Sequence, residues 1–312
     1  MIWDQVADVI CIGRGVAVLA SAISVIDAGG EVFVADLRSD NGSNRMSAAA
    51  RPQADRVHWL EVDVSDSETS EYFAELTSDL GPLKPSARNV ELSVRAVRRP
   101  PPVDPRAPVA PFIGARLREW AAGCLVSPYG FLYTPIWDRP TTTLQTVDGD
   151  EIEVAEIGSM TPDSADVGGS VVGWLRKQAR DRLIETRADR WMQRIVFEDG
   201  LVMGAVITTP DGPLAVRARH GVMVSPGASL ITTSGRQQLI ADNTELRLCL
   251  VGQAASRFGR LELLTSVPVT GESPLGCVTR NRQLPNNMRE TRKYSEAWRC
   301  GKVYGYPSLG QE

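Results

Sequence analysis

The stretch that decides the fold is Asp8-Val9-Ile10-Cys11-Ile12-Gly13-Arg14-Gly15. Its apolar and mostly β-branched first half predicts a buried parallel strand that ends at the first glycine. Apolar residues then continue from Val16 to Ala28, a length that favours a buried helix, and Gly29-Gly30 predict its C-terminal end. Residues 31–36 predict a second strand. The whole segment therefore predicts a compact β-α-β unit.

The glycines of Gly13-Arg14-Gly15 lie between strand and helix, where a dinucleotide site needs them. The first would make a tight turn and the second would let the backbone approach a pyrophosphate held by the helix N-terminus. Asp36, about 20 residues after Gly15, would accept hydrogen bonds from a ribose hydroxyl and disfavour a 2′-phosphate. Val18 stands where the motif has its third glycine. The alternative is that the glycines only turn the chain and Asp36 only caps a loop.

This segment resembles the N-terminal FAD-binding segment of the fumarate reductase, succinate dehydrogenase and 3-ketosteroid dehydrogenase flavoproteins. Residues 41–47 resemble the next segment of that family, which runs past the pyrophosphate toward the flavin, with Ser43 in place of its second glycine. The resemblance implies that FAD is the cofactor. From this part of the chain it implies the following cofactor-binding residues: Gly13, Gly15, Val16, Ala17, Asp36, Leu37, Ser43 and Asn44.

A second block supports the resemblance. Residues 218–228 are similar to the family's stretch ending in A-R-x-V-V-L-A-T-G-G, with Pro226-Gly227-Ala228 in place of Thr-Gly-Gly. The resemblance implies cofactor contacts from Gly227 and Ala228, and backbone contacts to the adenine near Trp191. It covers residues 6–50 and 170–230. It offers no match for the family's catalytic residues, so the catalytic group stays unknown.

Other local sequence patterns predict further helices and strands. Ser65-Asp66-Ser67-Glu68 has the form of a capping box and predicts the start of a helix. An Asp-Gly turn predicts a hairpin over 141–157, and apolar residues every four positions predict a helix over 171–184. Turn residues divide 194–218 into three strands of an antiparallel meander. Leu246–Val251 and Leu261–Thr265 predict two further strands.

The predicted fold class is α/β: a Rossmann-like FAD-binding domain with an antiparallel β-meander and a reduced or absent cap domain. Residues 1–97 and 170–270 are predicted to form the discontinuous FAD-binding domain. Residues 98–169 are predicted as a Pro-rich connector plus a small helix and hairpin insert, because six prolines lie within 98–111. Residues 271–312 are predicted as an irregular C-terminal tail.

Composition narrows the function classes. A net charge of −4 and a pI near 5.5 argue against a globally basic nucleic-acid binder. Two histidines argue against a His-rich metal site, and no metal is expected. The five cysteines form no C-x-x-C pair, which favours reduced thiols buried as small apolar residues. No apolar run approaches a membrane span and the N-terminus lacks a signal-peptide pattern, so the expected location is cytoplasmic.

Other polar and aromatic residues favour structural roles. Tyr129 and Tyr133 are expected in a packed surface loop rather than along a flavin or an apolar substrate. His220 is expected to be packed rather than to act as an acid or base. A solvated ion-pair face is favoured over a clamp for an anionic substrate at the following residues: Arg257, Arg260 and Glu262. The basic stretch 280–302 is expected to be a solvated tail.

Three functions stay open at this point. The first is a flavin-dependent oxidoreductase that acts on a carbon–carbon bond of a small, apolar or steroid-like molecule. The second is a non-catalytic, degenerate subunit or scaffold of the same fold that needs a partner chain, either another protein or a second copy. The third is an NAD-binding protein, because the glycines and Asp36 serve NAD equally well. Neither nucleic acid nor a membrane is expected as a partner.

Overall fold

A computed structural model describes residues 2–37, 64–80, 92–102, 114–135, 141–187, 189–225 and 244–266, all within the unit Met1–Pro274. The architecture is mixed α/β and rich in sheet. The helices of this part of the chain are α1 (Val16–Asp27), α2 (Ser67–Thr77), α3 (Gly114–Val126) and α4 (Val167–Asp181). Its strands are β1 (Gln5–Ile12), β2 (Val32–Ala35), β3 (Val94–Arg98), β4 (Gly130–Tyr133), β5 (Thr142–Thr146), β6 (Glu151–Met160), β7 (Trp191–Glu198), β8 (Leu201–Thr209), β9 (Gly212–Val224), β10 (Leu246–Gly252) and β11 (Phe258–Thr265).

The predicted β-α-β unit is confirmed. β1 and β2 pair in parallel from Val9↔Val32 to Ile12↔Ala35, and α1 connects them. α1 is apolar on most of its surface and is buried because it packs between the sheet and α4. Arg182, just after α4, donates two hydrogen bonds to the Asp27 carboxylate at 2.6 and 2.9 Å, which ties the ends of the two helices together.

The predicted meander is also confirmed. β7, β8 and β9 pair in antiparallel order. β9 is 13 residues long, and its first half pairs with β8 while its second half runs parallel to β1, from Gln5↔Val216 to Ile12↔Val224. A single strand therefore belongs to both the meander and the parallel sheet, and it fixes one against the other.

Five strands close a circuit of pairing in the order β3, β5, β6, β10, β11 and back to β3. All five contribute buried side chains to one hydrophobic cluster, and α3 packs against it. The contributing side chains include Val97, Leu144, Ile152, Val154, Cys249, Val251, Phe258 and Leu264. β5 and β6 belong to the segment 98–169 that the sequence assigns to the connector and insert. The division into domains stays a prediction.

Two local predictions were wrong. Tyr133 does not lie in a surface loop, because Gly130–Tyr133 is strand β4, which pairs with β9 and β11. Tyr129 lies in the turn just before β4, and both tyrosines are buried. The helix start predicted at residues 65–68 is confirmed as α2, but its N-cap is Asp66 rather than Ser65, because the Asp66 carboxylate accepts the backbone N–H of Thr69 at 2.9 Å.

Thr69 fastens α2 to the meander. Its side chain is buried, its hydroxyl donates to the Asp66 carboxylate at 2.6 Å, and the same oxygen accepts the backbone N–H of Ile195 at 2.9 Å. We expect Thr69→Val to lower the free energy of unfolding by about 1–3 kcal/mol, because the buried Ile195 N–H loses its acceptor. Urea denaturation measures the loss.

Thr77→Val is the matched control. Within the part of the chain that the structure describes, the Thr77 hydroxyl donates to carbonyls of its own helix, those of Phe73 and Ala74. We expect this change to cost less than about 0.5 kcal/mol. Equal losses in the two variants would contradict the role given to Thr69.

Among the described residues, no helix combines the length and the apolar character that crossing a bilayer requires.

Candidate functional site

The ends of β1, β2 and β9 meet at the turn Gly13-Arg14-Gly15. The N–H of Gly13 donates to the carbonyl of Ala35 at 2.8 Å, and the N–H of Ser225 donates to the carbonyl of Ile12 at 2.9 Å. Gly13 has φ +122°, and a Cβ placed on it would lie 2.0 Å from the carbonyl oxygen of Ser225. This first glycine is therefore required by the close approach of β9, in addition to the turn itself.

The second glycine opens the N-terminus of α1. Gly15 is the N-cap residue with φ +95°, a conformation that favours glycine. Among the described residues no side chain caps α1, and its first turn carries no acidic residue. Val16 and Ala17 are the first two residues of α1 and their side chains are buried, while the backbone N–H groups of a first helical turn have no partner within the helix. The arrangement offers amide donors and the positive end of a helix dipole to an anion.

Asp36 lies at the end of β2 beside this turn. The residue is only 7% exposed, and one carboxylate oxygen accepts the backbone N–H of Leu37 at 2.7 Å. The other oxygen accepts Nε–H of Arg14, whose side chain is 39% exposed. Sequence reasoning missed Arg14 because it fills the variable position of the G-x-G pattern. The sequence signal that could have predicted its role is an arginine between the two glycines together with an aspartate at the end of the second strand.

Trp191 lies directly beside Asp36. The two residues form a parallel bridge in which the Asp36 N–H donates to the carbonyl of Arg190 at 2.8 Å and the Met192 N–H donates to the carbonyl of Asp36 at 2.8 Å. Residues in register on neighbouring strands point to the same face of a sheet, so the Trp191 side chain shares a face with the Asp36 carboxylate. The structure thus brings together two of the predicted cofactor-binding residues from distant parts of the chain.

Four predicted cofactor-binding residues lie outside the described part of the chain. They are Ser43, Asn44, Gly227 and Ala228. The described ones form two groups that adjoin each other. Gly13, Gly15, Val16 and Ala17 form the turn and the start of α1, while Asp36, Leu37 and Trp191 lie at the ends of β2 and β7.

A second charged cluster lies inside the sheet. Glu262 on β11 is fully buried, and its carboxylate accepts Nε–H of Arg95 on β3 at 2.7 Å and Nε–H of Arg260. The Arg260 guanidinium carbon lies 4.9 Å from the ring centre of Trp120, a cation–π contact. The prediction of a solvated ion-pair face was wrong, because Arg95 from another strand completes a buried Arg–Glu–Arg triad.

The two arginines keep Glu262 ionised. Burial alone would raise the pKa of this carboxyl, but the charges of Arg95 and Arg260 and their hydrogen bonds more than offset it, and the pKa lies below its usual range. Arg257, the third residue of the predicted network, is not part of the triad. Its guanidinium donates to the hydroxyl of Tyr72 at 3.4 Å.

His220 was expected to be packed, and this was wrong. Its side chain is 71% exposed, with Nε2 3.8 Å from a carboxylate oxygen of Asp8. That carboxylate also accepts the Glu31 N–H and a hydrogen bond from Arg219, which together hold the pKa of Asp8 below its usual value. Asp8 lies five residues before Gly13 along β1, so this surface cluster is about 16 Å from the glycine turn. His58 lies outside the described residues.

Three of the five cysteines are confirmed as buried thiols: Cys11, Cys124 and Cys249. Burial raises the pKa of Cys124 and of Cys249 to about 12 in each case. None of the three offers a reactive nucleophile to a site. Cys277 and Cys300 lie outside the described residues.

This burial predicts resistance to alkylation. With a pKa of about 12, only about one Cys124 thiol in ten thousand is a thiolate at pH 8, and the thiolate is the reactive form. We expect iodoacetamide at pH 8 to leave Cys124 and Cys249 unmodified in the folded protein and to modify both in concentrated urea. Peptide mass spectrometry reads each site. Rapid modification of either residue without urea would contradict their burial.

Comparison with known proteins gives a limited result. No family model and no curated protein matches the chain. It is similar to the open conformation of a flavocytochrome c3 fumarate reductase, with 16% identity and a TM-score of 0.27 over 69% of this chain and 33% of that one. It is also similar to 3-ketosteroid-Δ4-(5α)-dehydrogenase from Rhodococcus jostii RHA1, with 19% identity and a TM-score of 0.28 over 71% and 46%.

A third similar structure is NikD, described as an unusual amino acid oxidase essential for nikkomycin biosynthesis. It has 15% identity and a TM-score of 0.26 over 83% of this chain and 70% of that one. The chain spans between a third and a half of the length of the first two structures. At these TM-scores the likenesses assign neither a family nor an activity.

Proposed function

We propose that the chain is an FAD-binding protein, a flavin-dependent oxidoreductase of the fumarate reductase and ketosteroid dehydrogenase type that acts on a carbon–carbon bond. One observation carries the proposal. Two glycines at positive φ open the N-terminus of α1 beside a buried carboxylate at the end of β2. The resemblance of residues 6–50 and 170–230 to FAD-binding segments selects FAD over NAD.

The donor set fits the adenosine diphosphate half of FAD. Amide N–H groups at the start of α1 suit the pyrophosphate, and the Asp36 carboxylate suits ribose hydroxyls. The conformation of Gly15 keeps a side chain away from the point where the phosphates would approach. Gly13 contributes differently, because its missing Cβ leaves room for β9.

The proposal gives each predicted residue a role. Val16 and Ala17 would contribute amides to the phosphates, and Leu37 and Trp191 would flank the adenosine. By resemblance, the flavin side would be met by the residues that lie outside the described ranges: Ser43, Asn44, Gly227 and Ala228. When bound, FAD supplies hydride transfer to or from carbon, and the protein orients the substrate and excludes water.

The proposal also covers the domain architecture, the substrate, the partner and the cellular location. Residues 1–97 and 170–270 would form a Rossmann-like FAD-binding domain with a reduced or absent cap domain. The substrate would be a small, apolar or steroid-like molecule. A protein partner or a second copy of the chain would complete its binding side, and the location would be cytoplasmic. The order β2-β1-β9 of the parallel strands supports the Rossmann-like part.

The visible spectrum of the purified protein tests the proposal. We expect protein expressed with ample riboflavin to carry a flavin absorption band, and acid to release FAD from it. Gly15→Trp is expected to abolish the band, because its side chain would fill the approach to α1. Gly29→Trp is the matched control: Gly29 also has positive φ, but nothing lies within 4 Å of its Cβ position, and it ends α1 rather than starting it.

A different result decides against the proposal. Wild-type protein that is colourless and binds no added FAD in calorimetry would contradict it. The non-catalytic subunit would then be the better hypothesis. Equal loss of flavin in Gly15→Trp and Gly29→Trp, with circular dichroism unchanged in both, would remove the glycine turn as the binding point.

A further inference from the structure

The Arg–Glu–Arg triad on β3 and β11 carries an excess of positive charge. Two guanidinium groups, those of Arg95 and Arg260, face a single carboxylate, that of Glu262. Cys124 lies close enough to interact with these charges, but burial raises the pKa of its thiol to about 12, so the thiol stays neutral. Among the described residues, one positive charge of the triad is therefore left without compensation beside the hydrophobic cluster.

Glu262 and Trp120 fix the orientation of the Arg260 side chain. Its Nε–H donates to the Glu262 carboxylate, and its guanidinium carbon lies 4.9 Å from the ring centre of Trp120. The indole is held in turn, because its N–H donates to the carbonyl of Phe258 at 2.8 Å. One edge and one face of the planar guanidinium are therefore in contact with the protein.

The outer edge of the Arg260 guanidinium is accessible. Within the described part of the chain, its terminal nitrogens Nη1 and Nη2 have no hydrogen-bond acceptor, and neither atom is buried. Arg95 differs, because its Nε and Nη2 lie 2.7 and 2.6 Å from one oxygen of Glu262, and its Nη2 is buried. Arg260 is therefore the arginine that can meet a ligand, while Arg95 supplies the second positive charge.

A carboxylate is the ligand that suits this edge. The two terminal nitrogens of a guanidinium form a planar fork that donates two parallel hydrogen bonds to the two oxygens of a carboxylate. A monoanion would also neutralise the excess charge of the triad, whereas a dianion such as sulfate would reverse it. Chloride has the matching charge but offers the fork one atom instead of two.

We propose that the outer edge of Arg260 is a binding site for a monoanionic carboxylate. The site goes beyond the proposed function and does not depend on a bound flavin. It also lies away from the glycine turn, since β11 is three strands from β1 in the sheet, a distance of about 14 Å. Of the two roles that the sequence left open for Arg260, this inference takes up the anion clamp, with Arg95 in place of Arg257.

Calorimetry with propionate tests the inference. Sodium propionate is titrated into the full chain at pH 7 and constant ionic strength, because salt screens charge pairs, in a buffer that contains neither carboxylate nor chloride. Sodium chloride and sodium sulfate are titrated in parallel. We expect propionate to bind with a dissociation constant below about 10 mM, and at least about tenfold more tightly than either inorganic ion.

Substitutions at Arg260 locate the site. Arg260→Lys keeps a positive charge opposite Glu262 but removes the planar fork, and is expected to weaken propionate binding by at least about tenfold. Arg260→Gln removes the charge as well and is expected to abolish measurable binding. Arg247→Gln is the matched control, because it breaks another arginine–glutamate pair, that of Arg247 with Glu156, and is expected to leave propionate binding unchanged. Circular dichroism shows whether each variant is folded.

The outcomes separate this inference from the proposed function. A wild-type chain that binds propionate more weakly than about 10 mM would overturn the inference, and so would equal affinity for chloride or sulfate. Unchanged propionate binding in a folded Arg260→Lys or Arg260→Gln variant would also overturn it. A chain that binds propionate as expected but takes up no FAD would support the inference and contradict the proposed function alone.

Discussion

Gly13→Ala is expected to lower the free energy of unfolding by about 3 kcal/mol or more. The new Cβ would lie 2.0 Å from the carbonyl oxygen of Ser225, a backbone atom that cannot rotate away. The φ of +122° adds strain of its own. Relief would require the end of β9 to move away from β1, to which it is paired in parallel from Val9↔Gly221 to Ile12↔Val224. Urea denaturation followed by circular dichroism measures the loss.

Gly29→Ala separates the two causes. Gly29 has φ +80°, but no atom lies within 4 Å of its Cβ position. The expected cost is the conformational part alone, about 1–2 kcal/mol. If the two variants lose the same stability, the contact with Ser225 has no energetic weight and the requirement for Gly13 lies only in its dihedral angles.

Glu262→Gln is expected to cost about 3–5 kcal/mol at neutral pH, because it removes the fully buried counter-charge of two largely buried arginines, whose side chains are 21% and 15% exposed. The amide has nearly the same shape as the carboxylate, so packing changes little. Arg95 and Arg260 reach Glu262 from two strands, and among the described residues each forms its ion pair with that carboxylate. Denaturant unfolding at pH 7 gives the difference.

The loss is expected to depend on pH in a defined direction. The pKa of Glu262 is lowered in the folded protein, so its ion pairs stabilise the fold above the unfolded-state pKa of about 4.3. This stabilisation is lost as the pH falls toward the lower, folded-state pKa. Glu262→Gln has no carboxyl to protonate there. The gap in stability between the wild type and the variant should therefore narrow on acidification.

Two further variants control this experiment. Glu156→Gln breaks the pair of Glu156 with Arg247, which joins β6 to β10 at 3.5 Å on a partly exposed face, and should cost less than about 1 kcal/mol. A triple variant, Arg95→Met with Arg260→Met and Glu262→Leu, should recover the stability lost in Glu262→Gln. A mild effect of Glu262→Gln, equal to that of Glu156→Gln, would contradict the weight given to burial.

Elements with short-range signals could be predicted from the sequence. The β-α-β unit is encoded within residues 8–36, where an apolar run, a glycine turn and a long apolar helix follow one another. The meander is marked by Asp-Gly turns between strands that pair with their neighbours along the chain. In both cases the partners in the structure are also near in sequence.

Features that depend on distant partners could not be predicted. β4 is only four residues long, and its neighbours β9 and β11 come more than 80 residues later, so its aromatic residues resembled a loop. Glu262 was predicted to be solvated because other charged residues lie close to it in the sequence. The arginine that completes the buried triad, Arg95, lies 167 positions away along the chain. Burial of a charge becomes evident only when the sheet places both arginines around it.

The residues of the candidate site also divide into those that local sequence predicts and those that depend on distant partners. The turn and Asp36 follow from spacing, since they belong to one local unit. Trp191 was placed near the adenine only by resemblance, and its bridge to Asp36 joins residues far apart in the chain. Arg14 was not predicted for a different reason. The middle position of the G-x-G pattern carries no residue preference, and the role of Arg14 depends on its ion pair with Asp36.

The closed circuit of strands bears on how the chain is synthesised. β3, β5 and β6 leave the ribosome before β10 and β11 have been synthesised, and β1 leaves it before its partner strand β9. At ordinary translation speeds the interval between β3 and β11 is on the order of ten seconds. During that time the inward-facing apolar side chains of the early strands have no partners, so the nascent chain is exposed to aggregation until residue Thr265 emerges.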